Sequence, residues 1–89
     1  MVYDIRLKKN VLKNLRRLPG GIRERLELLV QVLRKSGPTG PHIFQNYSKL
    51  SETEYHCHLN LSYVACWRHE KKTITIEVYY AGSRENAPY

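Results

Sequence analysis

Acidic residues are scarce in this 89-residue chain, cysteine is scarcer, and long apolar runs are missing altogether. Eight Asp and Glu stand against fifteen Lys and Arg, a formal net charge of +7. The expected partners are therefore polyanions: nucleic acid, an acidic protein or, less readily, an anionic membrane surface. No apolar run approaches the roughly 20 residues of a membrane span, so no membrane partner is expected. Met1-Val2-Tyr3-Asp4 lacks the basic-then-apolar form of a secretory signal, and the chain reads as cytoplasmic. Cys57 and Cys66 are the only cysteines, and two thiols without an export signal point to reduced side chains rather than a bridge. A composition that is 42% hydrophobic suits one core and one domain over residues 1–89, with every piece of chemistry sharing it.

Periodicity predicts an α+β chain. Val2 to Leu7 alternates Tyr3, Ile5 and Leu7 against Val2, Asp4 and Arg6, as a half-buried strand does. From Lys8 to Leu18 the pattern becomes a helical stripe of Val11, Leu12, Leu15 and Leu18, ended by Pro19-Gly20-Gly21. Ile22, Leu26, Leu29, Val30 and Leu33 mark a longer amphipathic helix with Gly37 placed to end it, so the two helices make an antiparallel hairpin. Gly37, Pro38, Gly40 and Pro41 then break the pattern, and Ser36 to Tyr47 reads as a loop. Three strands follow, Glu54–Leu59, Tyr63–Arg68 and Thr73–Tyr80, joined by short polar breaks that suit hairpin turns. The order is β-α-α-β-β-β, an antiparallel sheet packed against the helix hairpin. If the first hairpin loop is Asn60 to Ser62, Leu59 faces Tyr63 and the two cysteines fall on opposite faces of the sheet.

Two patches carry the chemistry. Tyr55-His56-Cys57-His58-Leu59, read as a strand, sets two imidazoles on one face at spacing i, i+2, where a solvated face usually carries Thr, Lys or Glu. Side by side, histidines offer proton transfer near neutral pH or metal ligation. The C-terminal Gly82-Ser83-Arg84-Glu85-Asn86-Ala87-Pro88-Tyr89 delivers a cation and a terminal aromatic just past an apolar strand. Metal-free RNA cleavage needs these groups: a base for the 2′-hydroxyl proton, positive charge on the phosphorane-like transition state and an acid for the departing 5′-oxygen. On this reading His58 is the general base, Arg84 the transition-state stabiliser and His56 a phosphate contact or acid. Tyr89 stacks on a splayed base or helps to protonate the leaving group.

These residues resemble the RelE/ParE superfamily of toxins from type II toxin-antitoxin pairs. The resemblance covers nearly the whole chain: a small basic domain, the strand, helix hairpin and three-strand order, a strand of the form Tyr55-x-Cys57-His58-Leu59, an aromatic at Tyr63, and a closing Gly82-Ser83-Arg84 with a terminal aromatic. Tyr55 to Trp67 is most similar to the YafQ-type branch. The resemblance implies ribosome-dependent cleavage of mRNA in the ribosomal A site, held in check by a cognate acidic antitoxin. It implies basic residues facing RNA at His56 and His58, a catalytic histidine at His58, a catalytic Arg or His at Arg84 and a terminal aromatic at Tyr89. Val64 stands where RelE has a catalytic arginine and Ser62 where the YafQ branch has an aspartate; Arg68, on the same side as Val64 by alternation, is the candidate replacement.

Blander readings stand beside these. His56 and His58 can be polar residues of an exposed sheet face. A zinc site from His56, His58, Cys66 and His69 matches no common zinc spacing, and no metal or cofactor is expected. Trp67 suits a core anchor better than a stacking platform, and Tyr79 and Tyr80 straddle the two faces of the last strand. Lys8, Lys9 and Lys13 lie on a helix face that is either simply solvated or meets RNA. His42 has reach from its loop and nothing more. Two other functions are open: a ParE-like inhibitor of DNA gyrase, and a non-catalytic nucleic-acid or protein-binding module.

Overall fold

The computed structural model describes residues 2–89. Strand β1 (Asp4–Leu7) leads into helix α1 (Lys9–Asn14), a 3₁₀ turn (Leu15–Arg17) and helix α2 (Gly20–Ser36). Strands β2 (Gln45–Lys49), β3 (Glu54–His58), β4 (Tyr63–His69) and β5 (Thr75–Ser83) follow. They form one five-stranded sheet in the order β1-β5-β4-β3-β2. β1 runs parallel to β5, and every other neighbouring pair is antiparallel. The helix hairpin thus carries the chain from one edge of the sheet to the other, and four strands meander back to β1.

Local chemistry explains where the helices stop. Leu18 is extended (φ −72°, ψ 138°), because the ring of the following Pro19 disfavours the helical region. The helix expected over Lys8–Leu18 is consequently six residues of α-helix and a tighter last turn, with Lys8 as its extended N-cap. α2 ends as expected at Gly37, whose N–H bonds to the Leu33 carbonyl at 2.9 Å. Gly37 has φ +82°, and a Cβ there would lie 2.8 Å from Cζ of Tyr3, so both backbone conformation and space call for glycine.

The segment expected to be a loop is more ordered than its sequence suggests. A 3₁₀ turn (Gly40–Ile43) seats Pro41 in the interior, and β2 begins at Gln45. β2 escapes periodicity because four of its five residues are exposed and polar, with only Tyr47 half-buried. It is an edge strand, and it is bulged: Gln45 to Ser48 is three steps on β2 against the two from His58 to His56 on β3. One extra residue is therefore accommodated, and Asn46 takes φ +53° to do so.

The core lies between the helices and one sheet face. Val11, Ile22, Leu26, Leu29 and Leu33 pack with Cys57, Leu59, Ala65, Trp67, Ile76 and Val78. Trp67 is fully buried, its indole N–H donates to the Pro38 carbonyl at 3.0 Å, and its ring stacks on Tyr55 at 6.1 Å. It is a core anchor. Leu59 donates to the Tyr63 carbonyl as the expected hairpin requires. Cys57 pairs with Ala65 and Cys66 with His56, so the two free cysteines occupy opposite faces. A second bulge, between Cys66 and Trp67, changes the fate of the β5 tyrosines. Tyr80 is the register partner of Cys66, and the Tyr79 ring lies 4.8 Å from the guanidinium of Arg68, which shares the Cys66 face. Both turn to the face away from the helices instead of straddling the strand.

Candidate active site

Strand alternation sends Tyr55 and Cys57 of β3 into the core and leaves His56 and His58 on the opposite face, each only 8% exposed. Their cross-strand partners are Cys66 and Val64, both fully buried. The face is therefore covered and not an open solvated surface. Part of the cover is the C-terminal segment. Arg84 donates its backbone N–H to the Ser62 carbonyl at 2.8 Å, a 3₁₀ turn (Arg84–Asn86) reverses the chain, and the Tyr89 ring ends 4.4 Å from the His56 ring. The two imidazoles are 5.9 Å apart. His56, His58 and Tyr89 thus form one cluster, and Arg84 opens the C-terminal turn that leads to Tyr89.

Two side chains of β2 hold the histidines, and neither is legible from periodicity. Ser48 Oγ lies 2.9 Å from His56 Nδ1, and the Asn46 amide nitrogen lies 3.3 Å from His58 Nδ1. Each of the two ring nitrogens turned toward β2 is thereby partnered, which fixes the plane of both rings.

Burial sets the protonation states. Desolvation and then the neighbouring charge of His58 push the His56 pKa down, against a smaller upward pull from hydrogen bonding with the Ser48 backbone. Burial raises the Tyr89 hydroxyl, with Arg84 opposing, so its proton is retained at neutral pH. Burial drives both thiols up to about 12, which leaves them neutral and poor nucleophiles or ligands. Desolvation likewise raises Tyr79 to about 12.

A stability consequence follows from His56. Its folded pKa lies below an unfolded value of about 6.5, so in that interval the unfolded chain binds more protons and stability rises with pH. The melting temperature is expected to drop as pH falls through about 6.5, and His56→Gln to flatten that slope. An unchanged slope in the variant would assign the pH dependence elsewhere. The carboxylates do not confuse the test, because the pKa values of Glu52 and Glu54 are lowered by hydrogen bonds from Lys71 and Arg68 and act at more acid pH.

The other expected site residues are placed differently. Arg68 shares the histidine face, but its guanidinium is held by Glu54 at 2.8 Å and Glu77 at 3.6 Å and lies 4.8 Å above the Tyr79 ring. Its charge is therefore paired with two carboxylates rather than standing free. Lys9 and Lys13, with Leu12 and Arg16, line a shallow exposed surface on α1, and Lys8 precedes it as the exposed N-cap. They form a separate basic patch. His69 faces away from His56 and His58: its Nε2 meets the Thr73 carbonyl at 2.9 Å and its ring packs edge-on against Tyr3. His42 bonds back to the Thr39 carbonyl within its own turn. No group of three or more His, Cys, Asp or Glu suited to a metal occurs among the described residues, nor is any helix there long and apolar enough to cross a membrane. A surface groove lined by Arg25, Leu28, Ile43, Phe44, Leu59 and Leu61 contains neither histidine.

No protein-family model and no curated protein matches the sequence. Solved structures do match. A chain of the archaeal RelE-RelB complex from Pyrococcus horikoshii superposes with a TM-score of 0.76 at 21% identity, over 98% of this chain and 100% of that one. The E. coli toxin RelE, as a mutant in the free state, gives 0.73 at 23% identity over 98% and 88%. This chain has the RelE fold. A chain of the Staphylococcus aureus YoeB-YefM complex aligns at a TM-score of 0.70 with only 9% identity, over 92% and 97%. The shared fold therefore covers nearly all of this chain, while most of the aligned side chains differ.

Proposed function

We propose that this protein is the toxin of a type II toxin-antitoxin system, a metal-independent endoribonuclease that cuts mRNA in the ribosomal A site and so arrests translation in the cytoplasm. The observation that carries the reading is the cluster of two buried, hydrogen-bonded histidines with Tyr89 against His56, set on a fold shared with a RelE toxin. One histidine takes the proton of the 2′-hydroxyl as that oxygen attacks the adjacent phosphorus. Arg84 and a second imidazole N–H bear on the phosphorane oxygens. The bond to the 5′-oxygen breaks, and the proton is returned to that oxygen directly or through the Tyr89 hydroxyl, so no proton is gained or lost overall. Tyr89 also offers a face for a splayed base, and Lys8, Lys9 and Lys13 offer phosphate contacts on ribosomal RNA.

The partner that keeps such a chain harmless is a cognate antitoxin. The net charge of +7 favours an acidic one, steered to the basic surface by complementary charge. The deciding experiment expresses the chain without an antitoxin, beside His56→Ala/His58→Ala and Arg84→Ala, and follows growth and mRNA integrity. Arrest with codon-positioned cuts, lost in both sets of variants, is the expected result. Arrest that persists in the variants would replace the nuclease by an inhibitor of gyrase or another bound target, and no arrest at all would leave a binding module.

A further inference from the structure

We propose that Asn46 is the positioning residue of the site: its amide holds His58 as the Nε2–H tautomer, which makes His58 a hydrogen-bond donor and leaves His56 as the base. The division of labour rests on the nuclease reading above; the tautomer does not. Asn46 presents its amide nitrogen, a group that only donates, to His58 Nδ1 at 3.3 Å. A nitrogen that accepts carries no proton, so in the neutral ring the proton sits on Nε2. Such a ring can donate to a phosphate oxygen but has no lone pair left for a 2′-hydroxyl proton.

His56 is held by a different kind of group. The Ser48 hydroxyl, 2.9 Å from Nδ1, can rotate to accept from Nδ1–H, which frees the Nε2 lone pair. Burial also keeps His56 in its neutral, basic form at pH 7. The roles are thus the reverse of those expected from the sequence, where His58 was the base.

The backbone explains why asparagine serves at this position. With φ +53°, position 46 lies in the left-handed region, where Asn, Asp and Gly are tolerated and other side chains are strained. Of these three, Asn alone can donate to an imidazole. The bulge that creates the conformation makes Gln45 the register partner of His58 and leaves Ser48 opposite His56, and the Asn46 side chain still reaches the His58 ring.

Two variants compatible with that backbone test the assignment. Asn46→Asp replaces the donor by an acceptor, and Asn46→Gly removes the side chain. The ¹⁵N shifts of the His58 ring, recorded on the free full-length chain at about pH 8 where imidazoles are neutral, are expected to show Nε2 protonated in the wild type. They should switch to Nδ1 protonated in Asn46→Asp and become a mixture in Asn46→Gly. A wild-type ring protonated on Nδ1, or a tautomer unmoved by Asn46→Asp, overturns the proposal. Because no RNA enters this measurement, its failure is separate from failure of the nuclease reading, which shows instead as a wild-type chain that cleaves nothing. In cleavage assays Asn46→Gly is expected to lose activity and Asn46→Gln, strained but still an amide donor, to regain part of it if the fold is kept.

Discussion

His56→Gln is expected to slow RNA cleavage about 10²- to 10⁴-fold, the usual range for removing a general base. His58→Gln is expected to cost about tenfold or less, the scale of one weakened hydrogen bond. The asymmetry follows from the two hydrogen bonds to β2. Glutamine keeps a side-chain N–H, so it can imitate the donor that Asn46 makes of His58, but at position 56 it offers no basic nitrogen. Single-turnover cleavage on programmed ribosomes separates the chemical step from binding, and circular dichroism checks that both variants are folded. Equal losses in the two variants would mean that both rings exchange protons. A larger loss at His58 would restore the assignment made from sequence.

Trp67→Ala is expected to destabilise the fold by about 3–5 kcal/mol, the range for emptying a large aromatic from a core. Small domains hold together by only about 5–15 kcal/mol, so a large part of the chain's stability is at stake. At about 4–8 °C per kcal/mol for a domain of this size, the melting temperature should fall by roughly 12–40 °C. The loss is large because Trp67 joins three parts of the molecule. It stacks on Tyr55 of the neighbouring strand at 6.1 Å, meets Tyr47 of β2 at 6.2 Å and bonds to the Pro38 carbonyl beyond α2. Truncation would also leave that carbonyl without its donor. Trp67→Phe, which keeps most of the ring volume, should recover much of the loss. Thermal unfolding followed by far-ultraviolet circular dichroism decides the matter, and a shift of a few degrees in Trp67→Ala would show that the stack contributes little.

These three residues differ in how far local pattern places them. Trp67 is legible because its role depends on alternation within one strand: with Tyr55 and Cys57 on the core side of the neighbouring strand, the register across a short hairpin puts Trp67 there too. His56 and His58 share the other face by the same parity. The helix stripes apart from Leu12, which faces solvent, the stop at Gly37, the Leu59 to Tyr63 hairpin and the separation of Cys57 from Cys66 were all set by local pattern and short loops. The partners of the histidines were not. β2 is polar, lies at an edge and carries a bulge, so it has no period to read, and a one-residue insertion reverses any parity assigned by counting.

The α+β class, the core stripe and the placing of two imidazoles on one face are legible in the chain alone, because they follow from periods of 3.6 and 2 acting within a few residues. Folding in three dimensions adds that Asn46 and Ser48 hold the two rings, that Tyr89 lies against His56, and that Arg68 is paired with Glu54 and Glu77. Those contacts join segments whose meeting depends on strand register, bulges and the return of the C-terminal turn, and none of these leaves a periodic trace in the chain.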